Sequence, residues 1–422
     1  MLMQAAGKAK FGDSFHLSEK EMKALMPHEV RKAGEETCVC VHHLKWNKMV
    51  ASYAKNRRKL GVQCECSIIS NGDDARQKVT CERPEQQRTL AAKCLDGTCT
   101  MCPGFAAIRK CAAEDEAGEG VRFNRDKRRK ETQTMTDGST KDVYDFYSRD
   151  SDFANLEHDM EQYCRTILQH HDLAIAQDHD WAETQANFPR GHFCSVQDFS
   201  LAYTHTRRVK HQSLWFQEVR STLYGACVRL HLDDVSDAYV PSEERRRLKE
   251  GFQKHRVPPI LTITLIGVSA DHGQDNAFVQ NFNDRITVFV KTIAAPGVKF
   301  TVHHARSDGC KAQYKCAQHF YYVSRQQAEV GIHLDWGFSC SCHGKDLVDP
   351  ENGRAKHCAR EYEVNIKDDH ENSLRDSEKL ALHLQGNFIY PQRKLWEKKM
   401  RGIYRREIWF IPTKVMCHLA SS

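Results

Sequence analysis

The sequence predicts an α/β protein: a mixed sheet with helices on both faces, preceded by a small cysteine-rich module that binds metal. Three observations predict it. Between residues 189 and 366, strand-like runs come first and then alternate with helix-like runs. Half of the 18 cysteines crowd between Cys38 and Cys111, with histidines beside them. The 422 residues are 28% charged and 40% hydrophobic, the proportions of a globular chain long enough for two or three domains.

Residues 1–36 read as a polar lead with a helical piece, "SEKEMKALMPHEVRK". The start lacks a continuous apolar core and does not read as a secretory signal. No run of about 18 uncharged apolar residues occurs anywhere, so no membrane span is expected. Residues 37–111 form the cysteine-rich block. With no export signal and with histidines among the thiols, metal binding in a reducing compartment is the expectation rather than disulfides. Residues 112–150 are polar and charged and read as a linker. Its cluster Arg125, Lys127, Arg128, Arg129 and Lys130 suits a phosphate backbone, a nuclear import signal or a solvated charge run. Residues 151–188 turn helical, with Leu156, Met160, Cys164, Ile167 and His171 at spacings of three and four, until Pro189 and Gly191 stop the pattern.

The 189–366 segment opens with the strand "HFCSVQDFSLAYT". Then "SLWFQEVRSTLYGACVRLHL" reads as two more strands or a hairpin around Tyr224-Gly225. A charged insert, "SEERRRLKEGFQKHR", precedes "PPILTITLIGVSAD", which has the continuous apolar character of a strand covered on both faces. Phe278, Phe282, Ile286, Phe289 and Ile293 follow at helical spacing. A strand with Val298, Phe300 and Val302 on one face comes next, then a helix from about Cys310, the strand "GIHLDWGFSCS" and the helix-like "NGRAKHCAREYEV". Residues 367–422 mix Arg393, Lys394, Lys398, Lys399, Arg401, Arg405 and Arg406 with Trp396, Tyr404 and Trp409. That pattern suits a phosphate-bearing polymer or an amphipathic helix packed on the domain.

Three aspartates stand at element ends: Asp198 closing the first strand, Asp308 after the fourth, and Asp349 at the start of a later helix. A sheet of this order brings those ends to one edge. Converging carboxylates repel one another unless cations neutralise them. Mg²⁺ and Mn²⁺ prefer oxygen ligands, and a pair of such ions about 4 Å apart activates attacking and leaving oxygens in phosphodiester cleavage. The net charge of +6 permits a nucleic-acid partner without demanding one.

The motifs "DFSLAY" at 198–203, "SDGCKAQYK" at 307–315 and "HGKDLVDPENGRAK" at 343–356 resemble those of a group of eukaryotic cut-and-paste DNA transposases. The resemblance covers nearly the whole chain. It implies an RNase H-like catalytic domain over 189–366, with Asp198, Asp308 and Asp349 as the metal-binding acids. The sequence departs from the family at Leu201 and Ala202, where a glutamate and an asparagine are usual, and in "DLVDPEN", where the family is glycine-rich. Asp346 and Glu351 therefore remain alternatives for the third acid. His343 and Lys345 are placed to contact the scissile phosphate. Gln313 and Lys315, on the helix after Asp308, face the same edge or the DNA backbone, or simply lie on an exposed helix face. His303 and His304 read as structural.

Cys99-x-x-Cys102 has the spacing at which one turn offers two thiolates to a tetrahedral ion. The resembling family carries a layout that Cys40, His43, Cys81, Cys94, Cys99 and Cys102 match. One structural Zn²⁺ is expected on Cys40, His43, Cys99 and Cys102, with Cys81 and Cys94, joined by Cys64 or Cys66, available for a second. The expected function is that of a nuclear transposase-like enzyme, active or relic, which cleaves and joins phosphodiesters of double-stranded DNA at transposon ends, as a homo-oligomer, and needs no membrane. The alternatives are a catalytically inactive, zinc-dependent DNA-binding protein of the same descent and a repair nuclease of the same fold.

Overall fold

The computed structural model describes residues 40–59, 69–82, 89–109, 122–134, 140–205, 219–340, 346–365, 373–388 and 403–412, with 122–134 and 140–151 described by their backbone. They fall into two compact units. In the first, helix α1 (Val41–Lys59) buries Trp46, Met49, Val50 and Tyr53, a three-and-four spacing along one face. Trp46 Nε1 donates to the Gly72 carbonyl at 2.9 Å, at the start of α2 (Gly72–Lys78), whose first turn is capped by Asn71 Oδ1 accepting from the amides of Asp73 and Asp74. The short α3 (Ala92–Asp96), which belongs to the second unit, ends at Gly97, which takes a left-handed φ of 76°.

The segment read above as a linker carries two strands. β1 (Arg122–Thr134) pairs antiparallel with β2 (Thr140–Asp152) from Arg122↔Asp152 to Thr134↔Thr140. Its sequence lacks the apolar alternation from which a strand is usually read. Helix α4 (Phe153–Asn187) follows directly, and Leu156, Met160, Cys164 and Ile167 are buried as their spacing predicts. The stripe then passes through His170, which is buried, instead of the half-buried His171.

The second unit is built on a seven-stranded mixed sheet. Its strands are β3 (His192–Phe199), β4 (Tyr203–Thr204), β5 (Arg220–His231), β6 (Ile260–Ser269), β7 (Val302–Ser307), β8 (His333–Phe338) and β9 (Arg405–Ile411). The order is β8-β7-β3-β5-β6-β9, with β4 paired to β5. β3, β5 and β6 are antiparallel neighbours; β7 and β8 run parallel to β3, and β9 runs parallel to β6.

Both faces are covered by helices, which is why β6 reads as an unbroken apolar run. Leu261, Ile263 and Leu265 join a core with Leu248 and Phe252 of α5 (Ser242–His255) and Phe278, Phe282 and Ile286 of α6 (Asn276–Thr292). Ile266 and Val268 join a second core with Ala355 and Ala359 of α8 (Val348–Asn365) and Leu380 and Leu384 of α9 (Ser377–Asn387). Helix α7 (Ala317–Val330) packs beside β8. No helix among the described residues is long and apolar enough to cross a membrane.

Four local expectations need correction. The hairpin at Tyr224-Gly225 is instead the middle of the single strand β5. Gly225 is there for close packing: a Cβ on it would lie 2.5 Å from Asn352 Oδ1 and 2.8 Å from Val348 Cγ2 of α8. The charged insert is the helix α5, amphipathic through Leu248 and Phe252. The helix after Asp308 starts at Ala317, so Gln313 and Lys315 lie in the preceding turn. The described end of the basic C-terminal segment is a sheet strand, β9, and Arg406 on it is buried. The lead at 1–36, Cys64, Cys66, Arg393, Lys394, Trp396, Lys398, Lys399 and Arg401 lie outside the described residues.

Candidate metal centres

The carboxylate edge follows from strand register. β3 and β7 are parallel neighbours with Val196 opposite Arg306, and two residues further along each chain come Asp198 and Asp308. Adjacent strands lie about 4.8 Å apart, so the two acids leave the sheet side by side. Asp198 is paired on its other side with Gly225 of β5, the position where α8 comes closest to the sheet. Asn352 of α8 donates to the Asp198 carbonyl at 3.4 Å, and Asp349 stands one turn before Asn352 at the helix start. All three acids predicted from the sequence thus belong to one edge.

Electrostatics registers the convergence. The Asp198 carboxyl is pushed up to about 7, first by burial, then by the charges of Asp349 and Asp308. Neither Asp198 nor Asp308 forms a salt bridge among the described residues. Asp308 Oδ1 accepts from the Cys310 amide at 3.0 Å, which orients its carboxylate at the head of the turn. A group of oxygen donors with excess negative charge fits a hard divalent cation. The three carboxylates are more open than a single-ion cage, because no three of their oxygens gather within 4.8 Å as the cysteine ligands below do.

The geometry also separates the three candidates for the third acid. Glu351 is wholly buried and held by Arg406 Nε at 2.5 Å and by Arg354. Its charge is consumed inside the fold. Asp346 Oδ2 accepts from Trp181 Nε1 at 3.2 Å and Gln185 Nε2 at 3.3 Å, while Oδ1 accepts from the Leu347 amide at 2.5 Å. Asp349 is exposed and is the one of the three whose charge raises Asp198.

Around this edge, Lys315 folds back over the glycine after Asp308: a Cβ on Gly309 would meet Lys315 Nζ at 2.9 Å. Gln313 is held through its backbone, its carbonyl accepting from Asn276 Nδ2 at 2.8 Å. Tyr314, between them, is fully buried and donates to Tyr224 OH at 3.3 Å; Tyr224 in turn donates to Gln197 Oε1 at 3.2 Å. Sequence reasoning did not single out these tyrosines, although the apolar setting of Tyr224 in its strand was visible. His303 is structural as expected: it stacks on Phe193 and pairs with Ser195 Oγ at 2.6 Å, and burial lowers its pKa to about 3. His343 and Lys345 lie outside the described residues.

The cysteine ligands sort differently from the expected set. Cys81, Cys94, Cys99 and Cys102 gather with all four sulfurs within 4.8 Å of one another. The turn that delivers them is tight: α3 ends at Gly97, and the amides of Thr98 and Cys99 both donate to the Lys93 carbonyl, at 3.0 and 2.9 Å. Four thiols so close suit a tetrahedral Zn²⁺, which would take them as thiolates. Cys40 and His43 are not with Cys99 and Cys102 but in a separate buried group with His170. The pairing Cys40 Sγ to His43 Nδ1, 3.0 Å, is the helical i, i+3 contact that their spacing allows. Nothing in the local sequence pattern linked either to His170.

Compared with known proteins, the chain matches a family model described as a domain of unknown function (DUF8701) over residues 254–389. That span includes Asp308 and Asp349 and stops short of Asp198 and the cysteine groups. No curated protein and no solved structure matches the chain.

Proposed function

We propose that the protein is an RNase H-like, transposase-type enzyme that cleaves and joins DNA phosphodiesters. The carrying observation is that Asp308 and Asp349, from distant parts of the chain, both add their charges to the effect of burial in raising the Asp198 carboxyl. The fold reading is supported by acids at the ends of β3 and β7 and on α8, the arrangement that the three motifs imply. Asp198, Asp308 and Asp349 would hold two Mg²⁺ or Mn²⁺ ions, which when bound supply Lewis acidity to the attacking and leaving oxygens. Lys315, beside Asp308, is suited to neutralise a phosphate oxygen. The cysteine group would hold a structural Zn²⁺ in a module that recognises double-stranded DNA at transposon ends. Nuclear location and assembly as a homo-oligomer belong to the same proposal.

The test is divalent-metal-dependent nicking of a short DNA duplex, with Asp308→Ala beside the wild type. The proposal expects nicking to need Mg²⁺ or Mn²⁺ and to vanish in the variant; equal nicking by both would eliminate the site. Strand-transfer products separate a transposase from a repair nuclease. A second reading, zinc-dependent DNA binding without catalysis, draws on Leu201, a leucine 84% exposed next to the acid edge where the resembling family has a charged residue. DNA binding that needs zinc, with Mg²⁺ and Mn²⁺ leaving the DNA intact, selects it.

A further inference from the structure

We infer that the C-terminal half of α4 is a brace that sets the third acid, with Trp181 and Gln185 as positioning residues for the carboxylate site. The inference rests on the metal-site reading above and adds residues outside all three motifs. One end of the brace is fixed to the strand that carries Asp308. Arg306, two residues before Asp308 and 5% exposed, donates from Nη1 to the Gln177 carbonyl at 2.8 Å and from Nη2 to Asp178 Oδ1 at 2.7 Å. Its Nε donates to Ser339 Oγ at 2.7 Å, so the guanidinium is fully engaged and cannot swing.

About one turn further along α4 the grip passes to the third acid's loop. Trp181 Nε1 and Gln185 Nε2 both donate to Oδ2 of Asp346, and the Asp346 amide donates to Oδ2 of Asp349 at 3.2 Å. The Asp349 amide returns a bond to the Asp346 carbonyl at 3.2 Å. The Trp181 ring packs against a cluster of Val196, Cys227, Val348 and Ile403, in which Val196 lies two residues before Asp198 and Val348 next to Asp349. The Arg306 guanidinium stacks 5.7 Å from the centre of the same ring. One indole therefore meets Asp346 and Arg306 directly and packs on the cluster that holds Val196 and Val348, and through it α4 links the strand of Asp308 to the start of α8. Asp349 itself is exposed on the first turn of a helix, and its two bonds to Asp346 tie it to the residue that α4 grips.

The test is Mn²⁺ binding to the full, zinc-loaded chain, followed by the loss of the free-ion electron paramagnetic resonance signal at low temperature. Trp181→Phe keeps the ring against Val196 and removes only the donor; Gln185→Leu removes the second donor independently. Each is expected to weaken Mn²⁺ binding about tenfold, the usual effect of losing a group that orients a metal ligand. In nicking, saturating Mn²⁺ should restore the rate while the KM for DNA stays unchanged, which a general loss of folding would not do. Glu183→Gln, on the same helix and facing His179, should bind as the wild type does. If the wild type binds Mn²⁺ and Asp308→Ala does not, yet Trp181→Phe and Gln185→Leu bind normally, the brace is refuted and the metal site stands. If the wild type binds no Mn²⁺, or Asp308→Ala binds as well, the metal-site reading falls and the brace with it.

Discussion

Replacing Asp198 by asparagine should stabilise the protein in the absence of Mg²⁺ and Mn²⁺. In the fold its carboxyl titrates near 7, against 3.8 in the unfolded chain, because burial and the neighbouring Asp349 and Asp308 oppose its charge. That displacement corresponds to about 4 kcal/mol for a fully shielded group, and screening of this partly solvated one brings the expectation to about 2 kcal/mol. The sign follows from proton uptake. Between the two values the folded chain holds a proton that the unfolded chain has released, so this residue's contribution to stability falls as pH rises through the window from about 4 to 7. The gain in Asp198→Asn should accordingly be about half developed at pH 5.5 and complete by pH 8. Urea unfolding of the zinc-loaded protein measures it directly. Adding Mn²⁺ should reverse the order at pH 8, since the cation rewards the wild-type carboxylate and not the amide. A variant less stable than wild type at pH 8, or a gain independent of pH, would refute the crowded-carboxylate argument.

Two other perturbations separate structure from chemistry. Glu351→Gln leaves Arg406 buried without its counter-charge and should cost about 3 kcal/mol or more in urea unfolding, whatever the metal concentration. Cys99→Ser should lower the zinc-to-protein ratio by one in native mass spectrometry, because Cys99 lies with Cys81, Cys94 and Cys102 in a group that could hold one ion. Retention of the full zinc complement would dissolve that ligand set.

The sheet's central part was legible because its residues obey short-range rules. The apolar run at 260–269 announced a strand covered on both faces, and the spacing of Leu156, Met160, Cys164 and Ile167 announced a long helix. The positions of Asp198 and Asp308 were legible for the same reason, each lying just where a strand pattern ends. What failed needed information from elsewhere in the chain. β1 and β2 pair with each other, and their sequences carry no periodic apolar face to betray it. β9 looked like a basic surface segment because Arg406 is neutralised by Glu351, which comes from α8. The ligand grouping failed similarly: helical spacing joins Cys40 to His43, while the choice of further partners is made by the folded chain.

The segment "DLVDPEN" is the sharpest case, because its departure from the glycine-rich pattern of the resembling family looks damaging in sequence, while its residues are well supported in the structure. Val348 is completely buried beside Val196 and Cys227, a contact that a glycine could not make. Pro350 falls in the first turn of α8, where a missing amide proton costs no helical hydrogen bond. Asp346 caps the loop by accepting the Leu347 amide, and Glu351 is absorbed by Arg406. Asp346, Val348 and Glu351 each have a packing or hydrogen-bonding partner, and of Asp346, Asp349 and Glu351 it is Asp349 whose charge reaches Asp198. Under the proposed descent, side-chain support stands where glycine would supply flexibility; Gly225 on the facing strand keeps the clearance that lets α8 approach. If the proposed descent holds, a motif can lose its pattern and still present its acid, provided that other contacts hold the backbone.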